Sequence, residues 1–126
     1  MNMWVALLAA VSSFVIGGLW YSPMLFGKAW NAENGSPAAP GHPGKVFGVS
    51  FVFSLAAAAC FGYLAGPAPG LARAMELGVI AGLGLVATSF GINYQFAQRT
   101  FRLWMIDGGY HVAQFLLFGL IFGLWG

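Results

Sequence analysis

The hydrophobic residues of this chain fall into four long runs, separated by stretches that are rich in polar residues, glycine or proline. A helix that crosses the ~30 Å hydrocarbon layer of a membrane needs about 20 mainly apolar residues. The pattern therefore predicts four membrane-spanning helices, over residues 3–21, 46–65, 74–94 and 103–125. We expect an all-α integral membrane protein, with residues 1–126 forming a single four-helix bundle in the lipid bilayer.

Composition excludes the other broad classes of protein. Of the 126 residues, 60% are hydrophobic and only 6% are charged, whereas a soluble domain carries about 25% charged residues. The 12 Phe, 5 Trp and 4 Tyr residues are too much apolar surface for a disordered chain. The five basic residues form no patch, so we expect no nucleic-acid partner. The lone Cys60 rules out a disulfide within the chain.

The basic residues predict the orientation in the membrane. Four of them lie in the loops after the first and third helices, and one lies in the middle loop: Lys28, Lys45, Arg99 and Arg102 against Arg73. The positive-inside rule then makes both termini non-cytoplasmic, and we place the protein in a cell (inner) membrane. No Lys or Arg precedes the first apolar run, so we expect a retained helix rather than a cleaved signal. Aromatic residues lie at both predicted boundaries, as membrane anchors do: Trp4, Tyr63 and Trp125 at one, and Trp20, Tyr21, Tyr94 and Trp104 at the other.

The loop after the first helix has two parts. Ser22 as N-cap and Pro23 at the first position predict a short helix that ends at Asn34-Gly35. We expect this helix to lie on the membrane surface, with Phe26 and Trp30 dipping towards lipid. Residues 36–44 read SPAAPGHPG, which predicts an extended linker with a solvated His42.

Glycine supplies the predicted helix contacts. Pairs of small residues four apart let helix backbones approach closely in lipid, and the chain contains Gly62/Gly66, Gly78/Gly82, Ala87/Gly91 and Gly119/Gly123, with Gly17-Gly18 as a further thin place. Most such pairs pack neighbours within one bundle, and some form a seam between subunits. We therefore expect a homo-oligomer or a place in a larger membrane complex.

The last helix carries a polar constellation. Asp107 and His111 are four residues apart, and Gln114 continues the same helical face. A charge at the bilayer centre costs at least about 3 kcal/mol, so these side chains need partners or water. Candidate partners are Thr88, Ser89, Asn93, Gln95 and Arg99 on the third helix, and Lys28.

Three interpretations of this constellation are open. The first is a structural hydrogen-bonded pair of Asp107 and His111 that joins the third and fourth helices. The second is a proton-linked site, because intramembrane ionisable residues mark ion or substrate paths. The third makes His111 an axial ligand of a macrocycle, with Gly108 and Gly109 leaving room beside it. No metal-ligand set, phosphate-binding loop or matched nucleophile and base is present, so we predict no enzyme, no metal and no resident cofactor.

Two stretches resemble a known family. They are residues 18–30, with Gly18-Leu19-Trp20-Tyr21-Ser22-Pro23 and Phe26-Gly27-Lys28-Ala29-Trp30, and residues 106–111, with Ile106-Asp107-Gly108-Gly109-Tyr110-His111. Both are similar to the small bacterial membrane proteins catalogued as domain of unknown function 1761. The resemblance implies four membrane spans and no established activity, and it draws attention to Trp20, Tyr21, Pro23, Phe26, Gly27, Trp30, Asp107, Tyr110 and His111. It also suggests that Tyr21 or Ser22 lies within reach of Asp107.

Two functional hypotheses follow from the sequence. One is a non-catalytic helix-packing module that assembles with itself or serves as an accessory subunit, because glycine pairs are plentiful and reactive groups are few. The alternative is a small oligomeric proton-linked transporter or channel that uses Asp107 and His111.

Overall fold

The computed structural model describes residues 2–35 and 42–126, and these residues form helices and turns without any strand. The helices are α1 (Met3–Trp20), α2 (Gly27–Asn34), α3 (Pro43–Ala65), α4 (Leu71–Val79), a π-helical segment (Ile80–Ala87), α5 (Thr88–Phe96) and α6 (Phe101–Trp125). Within these described residues, four helical stretches are long and apolar enough to cross a membrane: α1, α3, the continuous Leu71–Phe96, and α6. The predicted all-α architecture with four spans and a short helix after the first is confirmed.

The start of α3 corrects the predicted linker. Residues 36–41 lie outside the described part of the chain, but Pro43 and Gly44 already belong to α3. His42 is the N-cap, because its Nδ1 accepts hydrogen bonds from the backbone N–H groups of Gly44 and Lys45 at 3.1 and 3.4 Å. Proline suits the first turn of a helix because its missing N–H has no partner there. His42 is therefore the N-cap of α3 and not part of a linker, and its side chain is exposed, as predicted.

The short helix α2 begins later than the sequence predicts. Residues 21–26 form turns in which the Ser22 carbonyl accepts from the N–H groups of Leu25 and Gly27. The Ser22 hydroxyl donates to Leu19 O and caps no helix. A Cβ on Gly27 would lie 2.8 Å from the Ser22 carbonyl oxygen, so glycine is required for this close approach. The helix ends at Asn34, and Gly35 follows with φ +81°, as predicted.

Glycine brings the third span against α6. A Cβ on Gly78 would lie 2.6 Å from Phe115 O, and one on Gly119 would lie 2.6 Å from Ala74 O. Added Cβ atoms on Gly82 and Gly123 would also meet the facing helix, at 3.0 and 2.8 Å. The Gly78/Gly82 pair thus faces α6, and the Gly119/Gly123 pair faces the third span. Both pairs pack within the bundle.

Two glycines assigned to packing do something else. Gly66 has φ +76° and ends α3, and a Cβ there would meet nothing within 4 Å. A Cβ on Gly18 would also meet nothing within 4 Å, since Gly18 borders a cavity described below. By contrast, Gly62 is buried in α3, and Gly17 lies against the Tyr110 ring, 3.2 Å from the place of its Cβ.

The π-helical segment in the middle of the third span has no counterpart in the predicted pattern. A π-helix is wider than an α-helix and is seldom longer than one turn. Two carbonyls near its end accept hydrogen bonds from side chains. The Thr88 hydroxyl donates to Gly84 O and Leu85 O at 2.8 and 2.9 Å, and the Ser89 hydroxyl donates to Leu85 O at 2.7 Å.

α6 is the central helix, with α1 on one side and the third span on another, while α3 packs mainly on α1. The start of α1 and the end of α6 lie at one end of the bundle, which we call the terminal end; α2 and the start of α6 lie at the other, the α2 end. Near the terminal end, the Phe61 ring meets Phe115, Phe118 and Phe122 at centroid distances of 5.9–6.1 Å. Buried Val5, Ala6, Ala9 and Ala10 of α1 complete this core.

Candidate functional site

Asp107 on α6 is the centre of a hydrogen-bonded cluster at the α2 end. Its Oδ1 accepts from the Tyr21 hydroxyl at 2.6 Å and from the Trp30 indole Nε1 at 2.9 Å. Its Oδ2 accepts from the Tyr94 hydroxyl. The three donors come from the end of α1, from α2 and from α5, and Asp107 is only 9% exposed. We call these four residues the aspartate clasp.

Two tryptophans extend the clasp to the backbone. The Trp20 Nε1 donates to Ile106 O at 2.9 Å, and the Trp104 Nε1 donates to Ala87 O at 2.8 Å. Trp20, Tyr21, Tyr94 and Trp104 therefore direct their polar atoms into the bundle. The prediction that this group consists of membrane anchors is wrong, because buried acceptors on α6 and the π segment bind their N–H and O–H groups.

Tyr21 lies one residue beyond α1, at the edge of the apolar region. Burial raises the pKa of its hydroxyl, and the hydrogen bond to Asp107 raises that pKa further. Both effects oppose formation of a tyrosinate beside a carboxylate. Tyr21 is thus a hydrogen-bond donor to Asp107.

His111 lies one turn beyond Asp107 but belongs to a different set of contacts. Its Nδ1 is 2.8 Å from Gln114 Oε1, and its ring stacks on Phe90 with a centroid distance of 4.9 Å. Within the described residues, no hydrogen bond joins Asp107 and His111. The expected direct pair is therefore not formed: Asp107 accepts from Tyr21, Trp30 and Tyr94, and the His111 Nδ1 bonds Gln114.

The other predicted neighbours of Asp107 are placed elsewhere. Asn93 is exposed, and the Arg99 Nη1 donates to Asn34 O at 3.2 Å. The Tyr110 hydroxyl donates to Ser13 O at 3.1 Å and so joins α6 to α1. Two partners of Asp107 were not assigned to it from the sequence, namely Trp30 and Tyr94. Tyr94 directly follows Asn93 in α5, and neighbouring residues of a helix point in different directions. Tyr94 faces α6, whereas Asn93 is exposed.

A second set of contacts fastens α2 to the start of α6. The Thr100 hydroxyl donates to Glu33 Oε2 at 2.6 Å, and its oxygen accepts from the Leu103 N–H at 3.1 Å as the N-cap of α6. Arg102 lies 3.8 Å from Glu33. These contacts hold α2 over the clasp, where Trp30 reaches Asp107.

A cavity of about 750 Å³ lies between α1, α3, the π segment and α6. Its wall is mostly apolar, with Phe14, Phe47, Phe53 and Phe115 among its side chains. Its polar lining residues are Tyr21, Ser50, Ser54, Tyr110, His111 and Gln114. His111 and Gln114 thus line this cavity, whereas Asp107 lies in the clasp.

The space beside the glycines of α6 is taken by tryptophan. A Cβ on Gly109 would lie 3.0 Å from Trp20 Cζ2, and one on Gly108 would lie 3.5 Å from Trp104 Nε1. The two rings therefore occupy the space beside Gly108 and Gly109 that was expected to leave room for a macrocycle. Across the described residues, no three His, Cys, Asp or Glu side chains are grouped as metal ligands would be.

Comparison with known families gives a match over most of the chain. The family described as a protein of unknown function (DUF1761) matches residues 4–123. The chain belongs to this family. Neither the curated proteins nor the solved structures gave a significant match.

In this DUF1761 protein, the two stretches that carry the family resemblance meet in space. Trp20 and Tyr21 of the first stretch bond Ile106 and Asp107 of the second. Trp30, which ends the first stretch, also bonds Asp107. Three of the four clasp residues, Tyr21, Trp30 and Asp107, therefore lie in the stretches on which the resemblance rests, and Tyr94 lies outside them.

Proposed function

We propose that this protein is a non-catalytic packing module of a cell (inner) membrane, with both termini outside the cytoplasm and no resident cofactor. In this proposal it assembles with a second copy of itself, and attachment to a larger membrane complex is the alternative mode of assembly.

The clasp is the observation that supports a structural role most strongly. A carboxylate that moves protons through a membrane needs access to water or to a second group that exchanges protons near neutral pH along a path. Asp107 instead receives three hydrogen bonds from aromatic donors. An acceptor held in this way ties α1, α2, α5 and α6 together.

The exposed face of α3 supports assembly. Side chains at helical spacing along α3 form an exposed stripe: Val49, Val52, Phe53, Ala56, Cys60 and Tyr63. Val52 and Phe53 are 65% and 72% exposed. Lipid covers such a stripe in a monomer, and a second copy covers it in an oligomer with closer packing.

Cys60 permits a direct test, because it is the one cysteine of the chain and lies exposed on this stripe. Oxidation with copper phenanthroline in lipid nanodiscs should give a disulfide-linked dimer through Cys60. The matched control is the double variant Cys60→Ser/Val15→Cys, which moves the thiol to an exposed position on α1. Equal cross-linking of the two proteins would show random collision and contradict self-assembly through α3.

A proton-flux assay tests the transporter alternative. The protein is reconstituted in liposomes with a pH-sensitive dye inside, and the wild type is compared with Asp107→Asn, His111→Ala and empty liposomes. The packing proposal expects the same leak in all four samples. Flux in the wild type that either substitution abolishes would favour transport and contradict the proposal.

A further inference from the structure

Some of the polar groups that line the cavity have no hydrogen-bond partner within the part of the chain that the structure describes. Elsewhere in the apolar helices the hydroxyls of Ser12, Ser13, Thr88 and Ser89 bond carbonyls of their own helices. Among the described residues, Ser50 and Ser54 make no such bond, and His111 and Gln114 bond only each other. Polar groups at membrane depth are costly when they lack a partner.

These groups are accessible from the cavity. Ser54 and Gln114 are only 8% and 4% exposed. Among the described residues that are not exposed, every side-chain N or O atom that is fully covered has a hydrogen-bond partner. Ser54 and Gln114 line the cavity together with Ser50, whose side chain is exposed.

The polar groups come in pairs from two walls. Ser50 and Ser54 are one turn apart on α3, and His111 and Gln114 are three residues apart on α6, so each pair shares a helical face. Because Gln114 Oε1 accepts from His111 Nδ1, the imidazole Nε2 is left as an acceptor and the Gln114 amide as a donor. The serine hydroxyls serve in both roles.

The wall also restricts the charge of a ligand. None of the described residues that line the cavity is Asp, Glu, Lys or Arg. Its volume of about 750 Å³ is within the range of sites for drug-sized ligands, which are mainly apolar with a few polar groups. Phe47 and Phe53 line it and are 63% and 72% exposed, so the cavity opens on the side of the bundle that faces lipid.

From these observations we infer that the cavity is a binding site for an uncharged, lipid-soluble molecule with a hydroxyl-bearing head. The head bonds the Ser50/Ser54 and His111/Gln114 pairs, and the apolar body lies along the phenylalanines. A glycerolipid and a lipophilic phenol share this chemistry.

The test uses the full chain in detergent and two probes, 1-monoolein for the glycerolipid source and 4-dodecylphenol for the phenol source. Hexadecane serves as a probe without a head, and palmitate as one with a charged head. At about ten times its Kd, a bound probe should raise the unfolding temperature by about 3 to 6 °C. Hexadecane and palmitate should produce no saturable shift.

Glycine supplies a matched pair of variants. Gly18 lines the cavity, and Gly48 is exposed on α3 away from it; an added Cβ meets nothing within 4 Å at either position. Gly18→Phe should fill the cavity and abolish the shift, whereas Gly48→Phe should leave it unchanged. Ser54→Ala and Gln114→Leu should each weaken binding about tenfold, while Ser89→Ala should have no effect.

Each outcome decides the proposal. A saturable shift with either probe that Gly18→Phe removes supports it, and the probe that binds identifies the source. An equal shift with hexadecane or palmitate, an equal shift in Gly18→Phe, or no shift with either probe overturns it. The proposal would also be overturned if Gly18→Phe abolished Cys60 cross-linking and the wild type bound neither probe. The cavity would then be occupied by a second copy of the chain.

Discussion

Removal of the Asp107 carboxylate should destabilise the bundle, and the size of the effect should depend on what replaces it. Asp107→Leu leaves the hydroxyls of Tyr21 and Tyr94 and the indole N–H of Trp30 without their acceptor. Asp107→Asn keeps one oxygen for Tyr21 and Trp30, and its amide group donates to the Tyr94 hydroxyl oxygen. We therefore expect Asp107→Leu to be the more damaging substitution.

The size of these losses follows from the number of hydrogen bonds to Asp107 and the typical energy of each. Hydrogen bonds between membrane helices average about 0.6 kcal/mol and reach about 1.7 kcal/mol. Bonds to an ionised acceptor are the stronger ones. Three bonds to Asp107 then predict a loss of about 2 to 5 kcal/mol for Asp107→Leu, about 1 kcal/mol for Asp107→Asn, and about 0.6 to 1.7 kcal/mol for Tyr21→Phe or Tyr94→Phe.

Thermal unfolding in detergent measures these losses, and double-mutant cycles separate the pairs. Asp107 and Tyr21 should be strongly coupled, whereas Asp107 and His111, which share no hydrogen bond, should be coupled more weakly. Tyr63→Phe is the control, since Tyr63 is 82% exposed. The clasp would be refuted if Asp107→Leu cost no more than Tyr63→Phe, or if Asp107 coupled to His111 and not to Tyr21.

Three further predictions concern packing, capping and topology. Gly119→Ala should lower the unfolding temperature by several degrees, because its Cβ would lie 2.6 Å from Ala74 O. Gly84→Ala should be neutral or stabilising, since its Cβ would meet nothing within 4 Å. Equal effects of the two substitutions would contradict the close helix contact. Thr100→Val should cost about 1 kcal/mol in a denaturation assay, because it removes the N-cap of α6; no loss would show that the cap is dispensable. A reporter fused at Gly126 should be active only outside the cytoplasm, given four basic residues against one, and cytoplasmic activity would reverse the topology.

The sequence predicted the four spans because hydrophobic length is a strong, local signal. The boundaries differ where a local contact decides them. α3 begins at Pro43 because the His42 side chain caps it, and α2 begins only at Gly27 because the preceding backbone turns on the Ser22 carbonyl. The π segment was not foreseen, since a run such as Ile80–Ala87 has the same apolar pattern in an α-helix or a π-helix.

The candidate site was predicted in part. The meeting of Tyr21 and Asp107 followed from the family resemblance, and the bond between them is present. The partnership of Asp107 with His111 was inferred from spacing alone, and spacing does not show which outside donors compete for an acceptor. Trp30 and Tyr94 reach Asp107 from α2 and α5. Which side chains of these helices face Asp107 depends on how each helix is rotated about its axis, and tertiary packing sets that rotation rather than a short motif.

The cavity follows from how the helices are held. Glycines press the third span against α6, and the clasp draws α1, α2, α5 and α6 together at the α2 end. The described part of α3 contributes no residue to the clasp, and its Phe61 joins the phenylalanine core near the terminal end. The first half of α3, with Ser50 and Ser54, is therefore spaced from α6 where His111 and Gln114 lie. The elements that stabilise the rest of the bundle leave this gap, and Tyr21, which lines the cavity and donates to Asp107, connects the gap to the clasp.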